Sequence, residues 1–244
     1  MLIPALDILD GQVVRLFKGD YGQVTRYGDD PGARFAAYAQ AGARYLHLVD
    51  LSGARNAAER QWAALREVIG QSPLPLQVGG GVRCFEDVQQ LLALGAERVV
   101  VGSLAIKHPA LVAGWLDALG PEKLVLALDV RFDGHDWYPA SHGWQEKAEQ
   151  NLDSLLAYFM DAGARHFLIT DIDRDGTLGG ANAELYANLT RRYPGMALQA
   201  SGGVASLAEL PALKAAGVKG VILGKSLLDG KFTLEEALSC WQNA

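Results

Sequence analysis

Leu76-Gln77-Val78-Gly79-Gly80-Gly81-Val82 returns, little altered, as Leu198-Gln199-Ala200-Ser201-Gly202-Gly203-Val204. The offset, 199 − 77 = 122 residues, is half of the 244-residue chain. It also joins Val101-Gly102-Ser103 to Leu223-Gly224-Lys225 and Asp7 to Asp129, while Ala41-Gly42-Ala43-Arg44 comes back one residue short of it as Ala162-Gly163-Ala164-Arg165. Solenoid periods are far shorter, so the repeat points to one domain built from two similar halves, residues 1–122 and 123–244.

Outward from these stretches, short β-rich apolar runs alternate with helix-length amphipathic segments, the pattern of βα units on a parallel sheet. Eight strands are expected, over residues 2–7, 45–50, 74–79, 98–102, 124–129, 166–171, 197–201 and 220–224. Most stay apolar until their last residue. A parallel strand is buried on both faces, so polarity belongs where it emerges at its C-terminal end. The intervening helices carry a 3.6-residue stripe, as at Phe85, Val88, Leu91 and Leu92. The expected fold is a single (β/α)8 barrel, for which the chain length is ordinary. Residues 10–31 and 131–150 break the pattern. Each follows a strand ending in one of the paired aspartates, and each is expected to be a long loop or lid.

Half the residues are hydrophobic (50%) and 20% are charged, which suits a chain with its own core. The formal charge of −6 argues against nucleic acid as the main partner, since backbone binding calls for a basic stripe. No apolar run approaches the ~20 residues a membrane span needs. Met1-Leu2-Ile3-Pro4-Ala5-Leu6-Asp7 has no basic residue ahead of its apolar stretch, which argues against a signal peptide and for the cytoplasm. Cys84 and Cys240 are expected to be reduced, and the chain is expected to be a monomer.

Gly79-Gly80-Gly81 and Gly102-Ser103 each end a strand and precede a helix, so their N–H groups can converge on an anion. Gly202-Gly203 and Gly224-Lys225 repeat the arrangement after strands 7 and 8, the usual phosphate site of such barrels. Glycine is expected there because a side chain would hold the backbone away from phosphate oxygens. Two cups across one barrel mouth imply a ligand with a phosphate at each end. Local positive charge is available from Arg15, Lys18, Arg83 and Lys225, and Gly19 joins them as a candidate contact.

Asp7 and Asp129 close equivalent strands, which sets them facing each other across the mouth, where polar strand-end residues tend to be catalytic. A carboxyl pair with separated pKa values can take a proton from carbon and give one to oxygen or nitrogen. The alternative for either is a loop cap or a pair with an arginine such as Arg131. Thr170, Asp175 and Gly176, in the polar run after the sixth strand, are placed to reach hydroxyls or the second phosphate.

Asp171, Asp173, Asp175 and Gly176 imitate the start of an EF-hand loop, but Asn182 stands where its bidentate Glu belongs. Gly224-Lys225-Ser226 resembles the end of a Walker loop, yet Lys219 occupies the required glycine position. The five histidines lack metal-ligand spacing, and Cys84 has no base partner in sequence. Neither a metal nor a cofactor is expected.

Ile3-Pro4-Ala5-Leu6-Asp7, residues 10–16 (DGQVVRL), 18–21 (KGDY), 47–51 (HLVDL), 78–83 (VGGGVR) and 99–103 (VVVGS) resemble the ProFAR isomerase family of histidine biosynthesis. So do residues 126–130 (LALDV), 143–145 (GWQ), 170–177 (TDIDRDGT), 201–204 (SGGV) and 224–232 (GKSLLDGKF), so the resemblance spans nearly the whole chain. It implies a cofactor-free Amadori rearrangement of an aminoaldose with two ribose phosphates. Asp7 would be the base at the sugar C2 and Asp129 the acid at the opening ring oxygen. Trp144 would stack on the carboxamide-imidazole and Arg83 would touch substrate. Lys225 stands where relatives often carry Arg, keeping charge and losing the bidentate fork. The related cyclase of the same pathway shares this barrel, but its expected Cys-Leu-Asp start and Val-Lys-Gly are here Ala5-Leu6-Asp7 and Leu16-Phe17-Lys18-Gly19. An isomerase that also accepts phosphoribosyl anthranilate, and a non-catalytic phosphosugar sensor, remain open.

Overall fold

Each of the eight apolar runs becomes a strand in the computed structural model of the chain, which describes residues 1–17, 19–28, 30–141 and 146–244. Lys18 and Trp144, singled out above, lie outside the described residues. The strands are β1 (Leu2–Leu9), β2 (Leu46–Asp50), β3 (Leu76–Gly79), β4 (Arg98–Val101), β5 (Leu124–Phe132), β6 (His166–Asp171), β7 (Ala197–Ser201) and β8 (Gly220–Leu223). They pair in parallel in that order, and β8 returns to β1, which closes the barrel. Helices α1 (Pro31–Gln40), α2 (Trp62–Gly70), α3 (Phe85–Ala93), α4 (Pro109–Leu119), α5 (Leu152–Asp161), α6 (Ala183–Arg192), α7 (Leu210–Ala215) and α8 (Leu234–Asn243) intervene.

Local chemistry starts these helices where the stripe begins. Asp30 accepts from the Ala33 N–H at 2.7 Å ahead of Pro31, whose missing N–H costs nothing in a first turn. Asn151 and Asn182 cap α5 and α6 in the same way, and Thr233 with Glu236 closes a capping box on α8. Of the stripe on α3, Val88 and Leu91 are buried against the barrel.

Inside the barrel, Ile3, Ala5, Tyr45, Val100, Val125, Leu168 and Ile222 form an apolar plug. One polar contact crosses it. The side-chain amides of Gln77 and Gln199 donate to each other at 2.7 and 2.9 Å, and Gln77 also donates to His47 Nδ1 at 2.8 Å. Both amides are buried, so the reciprocal pairing is what makes their burial tolerable.

Two expectations need correcting. Residues 10–31 and 131–150 are not simple loops, because β1 runs on past Asp7 to Leu9 and pairs antiparallel with Gln12–Phe17, which pairs with Asp20–Gly28. Likewise β5 runs past Asp129 to Phe132 and pairs antiparallel with Trp137–Ser141, itself paired with Glu146–Lys147. The cause is turn chemistry. Asp10 (φ 52°) and Gly11 (φ 78°) form a two-residue turn with both φ positive, the type that matches strand twist, and Asp133-Gly134 opens the second hairpin. Asp7 and Asp129 therefore sit within strands, where each leaves the barrel.

Candidate active site

Asp7 has Val49 of β2 on one side and Val14 of the first hairpin on the other. Asp129 stands equivalently, between Thr170 of β6 and Ala140 of the second hairpin. In the closed order β1 and β5 are four places apart either way, so the two carboxyl groups belong to opposite walls of the mouth. Asp129 is half-buried and Asp7 only 6% exposed.

Arg15 dominates the surroundings of Asp7. Its Nη1 donates to Asp7 Oδ2 at 2.9 Å and its Nη2 to Asp175 Oδ1 at 3.1 Å, joining the first hairpin to the loop after β6. Burial raises the pKa of Asp7 above the ordinary carboxylate value, Arg15 opposes that, and the Asp175 charge adds to it. The Arg15 pKa rises because both carboxylates outweigh its own burial. His47, one turn of the pleat deeper, is pushed down to about 3 by burial and then by Arg15, so it is a neutral ring. Arg131 pairs with Asp173 at 3.1 Å.

The glycine cups match residue for residue. Gly80 and Gly81 have φ of 103° and 68°, Gly202 and Gly203 of 93° and 85°. Gly102 (φ −98°, ψ −105°) and Gly224 (φ −112°, ψ −90°) share a third conformation, each capping a short helix, with exposed Ser103 starting the first. The chain itself gives a further reason for glycine. A Cβ at Gly80 would lie 2.2 Å from the Asp50 carbonyl oxygen and one at Gly81 2.0 Å from that of Gly53. At Gly202 and Gly203 the obstacles are the carbonyls of Asp171 at 2.9 Å and Gly180 at 2.5 Å. Glycine is thus demanded by the neighbouring loop of the chain itself, whatever anion the cup receives.

The supports of those loops were missed from sequence. Asp50, at the end of β2, accepts from the N–H groups of Gly53 and Gln61 and from the Gln61 side chain at 2.8 Å. Asp171, at the end of β6, accepts from Asp173 N–H and from the Asn182 side chain at 2.8 Å. Asp87 then takes the N–H groups of Arg83 and Cys84, as Glu209 takes those of Ala205 and Ser206. The offsets 171 − 50 and 182 − 61 are 121, and 209 − 87 is 122, so the repeat itself was the available signal. Buried Arg60 adds a bond to the Gly81 carbonyl.

Arg15, Asp175, Gly176, Gly202, Gly203, Gly224 and Lys225 line one cleft at the second cup, and the buried Thr170 has its methyl 3.4 Å from where a Cβ on Gly202 would stand. Lys225 donates to Asp229 at 2.7 Å, and the Tyr27 hydroxyl holds the other oxygen of that carboxylate at 2.5 Å. Gly19, with φ 73°, lies in the turn between Gln12–Phe17 and Asp20–Gly28, and Arg83 is exposed beside the first cup. Asp171, Asp173 and Asp175 face three different partners, and among the described residues no group of three or more His, Cys, Asp or Glu is placed to hold a metal ion. Among the same residues no helix is long and apolar enough to cross a membrane.

Comparison with known proteins gives the family. The family model described as histidine biosynthesis protein matches residues 1–233. A protein of Vibrio cholerae serotype O1 is 53% identical over all 244 residues of both chains, and one of Aliivibrio fischeri is also 53% identical over the full length of both. A third, from Colwellia psychrerythraea, is 54% identical over 243 residues, covering 99% of this chain and 93% of its own. All three are named imidazole-4-carboxamide isomerases, and the name carries two 5-phosphoribosyl groups. A closed barrel with paired carboxyl groups and paired glycine cups, matched end to end by such relatives, leaves one assignment: the chain belongs to the histidine biosynthesis protein family.

Proposed function

We propose that this chain is a ProFAR isomerase, converting an aminoaldose that carries two phosphoribosyl groups into the corresponding aminoketose. The observation that carries the reading is the crossed arrangement at the mouth. One glycine cup ends β3 and β4 and the other β7 and β8, while Asp7 and Asp129 stand on β1 and β5 between them. A substrate with a phosphate in each cup passes between the two carboxyl groups, and its two ends share the work of orienting the reacting carbons.

Asp129, protonated, gives its proton to the ring oxygen as the sugar opens and the C1–N bond becomes an imine. Asp7, ionised, removes the proton from C2 to give the enaminol. A proton then returns at C1 as the C2 hydroxyl loses its own and becomes the ketone, so the sum is an isomerisation that consumes nothing. Each transfer asks for a general acid or base worth ~10² to 10⁴ in rate. Burial of Asp7 supports its part, because a raised pKa makes the carboxylate a stronger base.

The test is turnover of authentic substrate by purified protein with no added cofactor. Conversion to the ketose supports the reading. Tight binding without turnover would make the protein a sensor, and ring closure dependent on ammonia would make it the cyclase.

A further inference from the structure

The guanidinium that neutralises Asp7 also lies in the second cup. Arg15 grips Asp7 Oδ2 at 2.9 Å and Asp175 at 3.1 Å, and its guanidinium carbon is 3.3 Å from where a Cβ on Gly224 would stand. A side chain at 224 would make the guanidinium shift by a few tenths of an ångström. The side chain is 15% exposed, and the cleft it borders is the one formed by Gly202, Gly203 and Gly224. In this arrangement a cation occupies an oxygen of the base and lowers its affinity for a proton.

We infer that Arg15 is a phosphate-operated restraint on Asp7: a phosphate dianion seated against Gly202, Gly203 and Gly224 draws the guanidinium away from Asp7 while Asp175 keeps hold of its other nitrogen. The inference rests on the role of Asp7 proposed above. A dianion with three acceptor oxygens outcompetes a single carboxylate oxygen for the planar fork, and Asp175 limits the movement to a swing about one contact. Asp7 is then left to its burial and becomes the stronger base only when the cup is filled. Arg15 and Asp175 act through Asp7 and are positioning residues in this step.

The other groups that bear on Asp7 do not substitute for Arg15. Asp175, on the loop after β6, raises its pKa. Tyr21, on the first hairpin, donates its hydroxyl to the Leu51 carbonyl and has its own pKa raised by burial. His47, from β2, is neutral.

The experiment is a titration of the Asp7 carboxyl carbon by NMR in full-length protein labelled with ¹³C-aspartate, its signal assigned by loss in Asp7→Asn. Inorganic phosphate is the probe. Saturating phosphate is expected to raise the Asp7 midpoint by about 1 unit in the wild type, in line with removal of an adjacent cation. In Arg15→Met the midpoint is expected to start high and respond less than half as much, with Arg15→Lys between the two. An unchanged or lowered wild-type midpoint overturns the inference, and so does an equal rise in Arg15→Met, which would reduce the effect to the field of the anion. With substrate, the acid limb of kcat, which reports the complex, is expected at higher pH than that of kcat/KM, which reports free enzyme. Turnover with coincident limbs and no phosphate-linked shift sinks the restraint alone. A phosphate-linked shift without turnover supports the restraint and sinks the isomerase reading.

Discussion

Asp7 and Asp50 are both buried aspartates at the mouth end of adjacent strands, yet their surroundings assign them different work. Asp50 accepts three hydrogen bonds from its own loop and is spent on holding it. Among the described residues Asp7 has one side-chain partner, Arg15, set against the desolvation that raises its pKa. Asp7→Asn and Asp129→Asn are each expected to lower kcat by ~10² to 10⁴ while phosphate affinity stays within a few-fold, as kinetics and calorimetry would show. A loss of only tenfold would make that residue a positioning group. The paired aspartates were legible in the sequence because they obey the repeat. The Arg15–Asp175 contact was not, because it joins residues 160 apart in segments that the repeat does not align.

At the level of elements, the strands over residues 166–171 and 197–201 have the bounds read from their apolar runs, since burial on both faces writes itself into composition. The overrun of β1 and β5 into hairpins was readable too, in Asp10-Gly11 and Asp133-Gly134, but only if turn chemistry is weighed against the expectation of a lid. Two glycines separate conformational strain from steric need. Gly11 has φ 78° and open space where a Cβ would go, so Gly11→Ala is expected to cost about 1 kcal/mol. Gly81 has φ 68° and a carbonyl oxygen 2.0 Å away, so Gly81→Ala is expected to cost at least ~2 kcal/mol and to weaken phosphate binding. Urea unfolding of the two variants checks the order, and equal losses would mean that the loop after β2 yields to a side chain.

The whole molecule is two similar halves tied through the barrel axis by the Gln77–Gln199 pair, residues that are themselves repeat mates. Gln77→Leu leaves the Gln199 amide buried without its partner and is expected to cost ~1 to 3 kcal/mol, whereas Gln77→Leu with Gln199→Leu is expected to recover part of that. Denaturant midpoints of the two singles and the double decide it, and additive losses would show that the amides act independently. The repeat made the barrel, both cups and both carboxyl groups legible, because duplication turns weak local signals into matched ones. It could not show the steric need for glycine at 80, 81, 202 and 203, since that lies in carbonyls of neighbouring segments. The most direct measurement is a crystal structure of the Asp7→Asn variant holding the bisphosphorylated substrate. One phosphate is expected against Gly80, Gly81 and Gly102 and the other against Gly202, Gly203 and Gly224, with the opening sugar between positions 7 and 129. Both phosphates on one side of the barrel, or a sugar out of reach of Asp129, would contradict the account.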